Sequence, residues 1–98
     1  MFVGVLGVRL HLAGVGSLKE KRRIVLQVKE RVRSRFHCAA AEVGDLDSWQ
    51  AATLGFSVVS NEHAAANSAL DKIAGFVESM GVARVMSHSI EIISVTEG

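Results

Sequence analysis

At Ser17 the hydrophobic pattern of the chain changes period. From Phe2 to Leu12 apolar residues recur at alternate positions, and from Leu18 to Phe36 they recur at helical spacing. A switch from a period of two to one of 3.6 across a four-residue gap makes a strand run into a helix, and everything later packs around that junction. On the strand, Phe2, Leu6, Val8, Leu10 and Leu12 take one face and Val3, Val5, Arg9 and His11 the other. Ala13-Gly14-Val15-Gly16 is a glycine-marked turn. Ser17-x-x-Glu20 then matches a capping box. The Ser17 hydroxyl is expected to accept from the backbone N–H of Glu20, and the Glu20 carboxylate to reach back to the N–H of Ser17. Leu18, Val25, Val28, Val32 and Phe36 form the core-facing stripe of this helix.

A short alanine-rich strand is predicted over Cys38–Val43, a loop over Gly44-Asp45-Leu46-Asp47-Ser48, and a third strand over Ala52–Val59. Strands two and three form a hairpin. Ser60 or Asn61 caps a second helix with the stripe Ala66, Leu70, Ile73, Val77 and Met80, and Gly81 stands where a left-handed residue ends it. Val82–Val95 is the last strand. Its alternation slips between Met86 and Ile93, which calls for a bulge or burial on both faces. The order β-α-β-β-α-β with right-handed crossovers gives a ferredoxin-like α+β sandwich, two helices on one face of a four-stranded antiparallel sheet. The other face is then open, and Val3, Val5, Ala39, Ala41, Thr53 and Val59 are candidates for it. Such a face calls for a partner, most simply a homodimer joined sheet to sheet or edge to edge.

With 98 residues, 49% hydrophobic and 21% charged, the chain is read as one globular domain, residues 1–98, rather than a disordered segment. No apolar run has the roughly 20 residues that cross a bilayer. The first twelve residues lack the basic start and small-residue cleavage site of a signal peptide. Cys38 is the single cysteine, which suits a reducing, cytoplasmic setting.

A net charge of +1 conceals a strong asymmetry, because eight of the eleven Lys and Arg residues lie between Ser17 and Phe36. On a helical wheel Lys19, Arg22, Arg23, Lys29 and Arg33 fall within about 120°, with Leu26 among them and Arg31 and Arg35 on the opposite flank. Like charges at three- and four-residue spacing repel, and cations at a helix N-terminus oppose its dipole, so an anion docked there relieves both penalties. The functional reading is an anion or phosphate site at Gly16 and Ser17, with Lys19 and Arg22 as counter-charges, extended along the helix to track a nucleic-acid backbone. A solvated basic surface and another acidic partner are the other two readings.

Other features carry less chemistry. Gly14-x-Gly16 has neither P-loop nor dinucleotide spacing. Gly55-Phe56-Ser57-Val58-Val59 is superficially like the aromatic strand of an RNA-recognition motif. It lacks the leading basic residue and the second ring, so Phe56 belongs to the core. Trp49, the sole tryptophan, suits either partial core packing or an interface. Together with Val3, Val5 and Val59 it makes the candidate interface set. Glu42, Asp45 and Asp47 lack calcium-loop spacing. His11, His37, His63 and His88 stand on separate elements without metal-ligand spacing, and Cys38 suits a buried thiol. No catalytic set emerges, so a non-enzyme without cofactor or metal is expected.

Ser17-Leu18-Lys19-Glu20-Lys21-Arg22-Arg23, Ala41-Glu42-Val43, Asp47-x-Trp49-Gln50, Leu54-Gly55 and Val59-Ser60-Asn61 together resemble the YlxP-like family of small bacterial domains of unknown function. The resemblance covers essentially the whole chain. It implies a ferredoxin-like fold, a dimer and no established activity. Such proteins are commonly encoded beside ribosome-maturation and translation-initiation factors, an association that does not show what the residues do. The partner expected from the basic helix is RNA, such as that of a ribosomal particle, or a protein of translation. A dimeric protein-interaction scaffold with no nucleic-acid role is the alternative.

Overall fold

The computed structural model describes residues 1–96. Alternation makes Phe2–His11 strand β1, with Gly4, Leu6, Val8 and Leu10 buried. Helix α1 covers Leu18–Arg35, and its N-cap Ser17 accepts from the Glu20 N–H at 3.1 Å. The second half of the capping box differs from expectation, since the Glu20 carboxylate accepts from the N–H of Gly16 at 3.3 Å rather than from Ser17. Strand β2 is Ala39–Gly44 and β3 is Ala51–Ser60. Helix α2 is His63–Ser79 and β4 is Arg84–Ser94.

The order is β1-α1-β2-β3-α2-β4, and the sheet runs β2-β3-β1-β4 with every neighbouring pair antiparallel. This is the ferredoxin-like α+β sandwich. Its core joins Leu6, Val8 and Leu10 of β1 and Leu54 and Phe56 of β3 to Val25, Val28 and Val32 of α1 and Leu70, Ile73 and Val77 of α2. Gly4 is needed at its place, because a Cβ there would lie 2.7 Å from Leu70 Cδ1.

Two local details, the α2 cap and a bulge in β2, depart from the sequence reading, while the slip in β4 is the bulge it called for. The α2 cap is Glu62, whose side chain makes no capping bond. Ser60 Oγ instead accepts from the Glu62 N–H at 3.1 Å. The slip in β4 is a bulge at Met86, since Arg9 pairs with Ser87 and Leu10 with Val85. A second bulge, at Val43, lies where Glu42 pairs with Leu54 and Gly44 with Thr53. That bulge delivers the chain to Asp45, the one non-glycine residue with positive φ (59°) among the described residues.

Candidate functional site

The basic helix is bolted to the β2–β3 hairpin by the residue most at odds with its type. Lys21 follows Leu18 by three positions and precedes Val25 by four, so it stands within the apolar stripe. Only 1% of it is exposed, although its charge suits the surface. Its Nζ donates to the Asp45 carbonyl at 2.5 Å and lies 3.0 Å from Glu42 Oε2. That oxygen is buried without a hydrogen-bonding partner, so it meets the ammonium off the bonding direction and the contact is ionic. Glu42 sits on the core-side face of β2, in step with Cys38 and Ala40.

Asp45 ties this buried pair to the surface. Its carboxylate accepts from Thr53 Oγ1 at 2.6 Å and from Arg9 Nε at 3.3 Å. The Thr53 hydrogen bond, with the hydrogen bond and charge of Arg9 after it, holds the Asp45 carboxyl below the usual carboxylate range against the opposing pull of desolvation. The Asp45 carbonyl also accepts from the Ser48 N–H at 3.0 Å. Ser48 Oγ in turn accepts from the N–H groups of Gln50 and Ala51, and the Gln50 carbonyl takes the Leu12 N–H at 2.8 Å. The hairpin tip is therefore anchored on both sides. The three carboxylates of this segment do not converge, and among the described residues no group of three His, Cys, Asp or Glu could hold a metal.

The basic flank lies outside this bolt. Lys19, Arg22 and Arg23 are exposed and Lys29 is half-buried. Leu26, among them, is 51% exposed. Arg33 pairs with Glu30 at 3.3 Å, and the Glu20 carboxylate, which accepts from Gly16, makes no ion pair with Arg23 among the described residues. On the opposite flank Arg35 stacks over the Phe76 ring, 5.1 Å from its centroid. Gly16 and Ser17 are both used by the capping box, so the helix start meets its own carboxylate.

The candidate interface residues divide into two places. Val3 pairs with Val59 on one side and Ile93 on the other, forming an apolar rung across the open sheet face. Val5 lies two residues along, beside Ser57 and Glu91. Val59 is 68% exposed. Ala39, Ala41 and Val43 continue this face, while Thr53 is turned to Asp45. Trp49 stands apart, in the hairpin beside the His11 end of β1, about 26 Å of strand from Val3. Cys38 is half-buried, and burial raises its thiol pKa despite the opposing charge of Arg33. Sequence reasoning missed Lys21, Arg9 and the role of Thr53.

A four-stranded sheet with one open face, a basic first helix and a polar bolt beneath it define a small ferredoxin-like α+β domain. The chain belongs to a family described as a protein of unknown function (DUF503), whose profile matches residues 3–90. It is similar to an uncharacterized protein, YlxP, of Bacillus subtilis (strain 168). The two are 33% identical over 64 residues, which cover 65% of this chain and 70% of that protein. Among the described residues no helix is long and apolar enough to cross a membrane.

Proposed function

We propose that this protein is a non-enzymatic, cytoplasmic binding module that holds the phosphate backbone of structured RNA, such as that of a ribosomal particle, on the basic flank of α1. The observation that carries the reading is the exposure of Lys19, Arg22 and Arg23 on one helical flank, with no carboxylate within 4.0 Å of them among the described residues. Like charges at this spacing disfavour the isolated helix, and phosphate contacts reverse the sign of that term. The buried Lys21 ties the helix to the β2–β3 hairpin, so the backbone that carries the cations is fixed before a ligand docks.

Salt dependence of RNA retention by the full chain tests the reading. Arg22→Glu combined with Arg23→Glu lowers the slope of log affinity against log salt by about two, one for each contact. Unaltered retention at about 50 mM salt refutes it. Arg33 is the poorer probe because Glu30 already engages it.

The exposed rung of Val3, Val59 and Ile93, with Val5, favours a second reading, a homodimeric protein-interaction domain closed through the sheet. Self-association that survives nuclease and is lost on Val59→Lys supports it. A monomer at every concentration rejects it.

A further inference from the structure

We infer that Trp49 is a stacking platform for an unpaired RNA base. This inference rests on the reading of α1 as the phosphate-binding element. Single-stranded segments are held by an aromatic ring beside cations, the ring taking a base while the cations take the flanking phosphates. The sheet face offers no such ring, since Phe56 is buried in the core. The hairpin does, because Trp49 is 51% exposed.

The topology brings that ring and the cations to one end of the molecule. β1 ends at His11 and α1 begins at Leu18, so the first turn of α1 lies at the His11 end of the sheet. The β2–β3 hairpin lies at the same end, where Ala51 pairs with His11. The connection is direct, since the Asp45 carbonyl accepts from both Lys21 Nζ and the Ser48 N–H. Trp49 follows Ser48, and Arg22 follows Lys21. One carbonyl thus anchors the turn that displays the ring and the turn that displays Lys19, Arg22 and Arg23.

Hydrogen bonds on both sides of Trp49 fix the turn that holds its ring out of the core, which lowers the backbone ordering that stacking requires. Leu46, 59% exposed in the same turn, offers more apolar surface to a splayed base or sugar. The ligand class is RNA carrying unpaired bases, as in a loop, bulge or single-stranded tail, rather than a continuous duplex. A duplex keeps its bases stacked on one another and presents none to the ring.

Because Trp49 is the sole tryptophan, its emission reports its contacts alone. The full chain is titrated at about 50 mM salt with a single-stranded RNA of roughly twelve nucleotides, and with the blunt duplex it forms with its complement. Saturable quenching by the single strand, with none by the duplex, is the expected result. Trp49→Ala then weakens single-strand binding by roughly 5- to 150-fold. Trp49→Phe loses less, and circular dichroism of both variants matches the parent. Retention of both RNAs with unchanged emission overturns the inference and leaves the α1 reading standing. Failure to retain either RNA overturns the α1 reading as well. A concentration-dependent emission shift without RNA, abolished together with self-association in Trp49→Ala, makes the ring a protein contact and also overturns the inference.

Discussion

Replacing Lys21 by methionine keeps an unbranched side chain, one heavy atom shorter, and removes its charge and donors. Glu42 Oε2 is then left buried with no counter-charge, and the Asp45 carbonyl keeps only the Ser48 N–H. Breaking a buried pair by removing one partner costs about 3–5 kcal/mol. The Glu42 side chain retains 17% exposure, so water reaches part of the carboxylate and the lower end of that range applies, about 3 kcal/mol. Against a total stability of about 5–15 kcal/mol this is a large fraction, and it corresponds to a fall in Tm of roughly 12–24 °C. Lys21→Met/Glu42→Leu removes both charges and leaves an apolar contact between α1 and β2. It recovers to within about 1 kcal/mol of the parent or better. Urea denaturation of the four proteins of the cycle gives a coupling energy of about 2 kcal/mol or more between the two sites, at an unchanged m-value. A Lys21→Met protein within about 1 kcal/mol of the parent, or strictly additive single effects, refutes the account of the bolt.

Ser17→Ala removes the acceptor of the Glu20 N–H and lowers stability by about 1 kcal/mol, read as a Tm drop of roughly 4–8 °C. The depressed pKa of Asp45 contributes stability that is present above its unfolded value and lost as pH falls through the folded one, below about pH 4. Asp45→Asn therefore flattens the acid limb of a Tm-against-pH profile, and an unchanged acid limb contradicts the assignment. Cys38, its thiol raised by burial, reacts with iodoacetamide at neutral pH more slowly than free cysteine, as mass spectrometry over time reads directly. Arg33→Glu slows that reaction further, because the one lowering influence on the thiol is gone.

Periodicity carried most of the fold, because a sheet with one covered face and helices with one apolar stripe each write their burial into residue spacing. Leu6, Val8 and Leu10, and later Leu70, Ile73 and Val77, are buried where alternation and helical spacing put them. Strand ends were less legible, since the hydrogen-bond ladder continues to Ala51 and Ser60 regardless of side-chain character. Lys21 shows what defeats a reading by residue type. Its position belongs to the stripe, while its charge argues for the surface, and position prevails because Glu42 projects inward from β2 to meet it. Two inward positions of opposite charge on neighbouring elements were a usable signal, but only with the topology in hand. The reach of Glu20 to Gly16 instead of Ser17 depends on the exact backbone path into the helix, which no spacing rule specifies. The site was legible as a charged flank. The placement of Trp49 beside its first turn was not, because it depends on a carbonyl of the intervening loop.

The sheet order has a consequence for how the protein comes into being. β1 is made first, yet it is an inner strand, flanked by β3 and by β4, whose last residue is Ser94. Pairing with β3 covers one edge of β1 once Ser60 has been added, but the other edge stays bare until β4, almost the last part of the sheet, has been made. The β1–β4 contacts that complete the sheet span most of the chain. During synthesis the exposed strand is a target for chaperones and for other nascent copies. Once β4 docks, β1 gains its second neighbour and the sheet is complete.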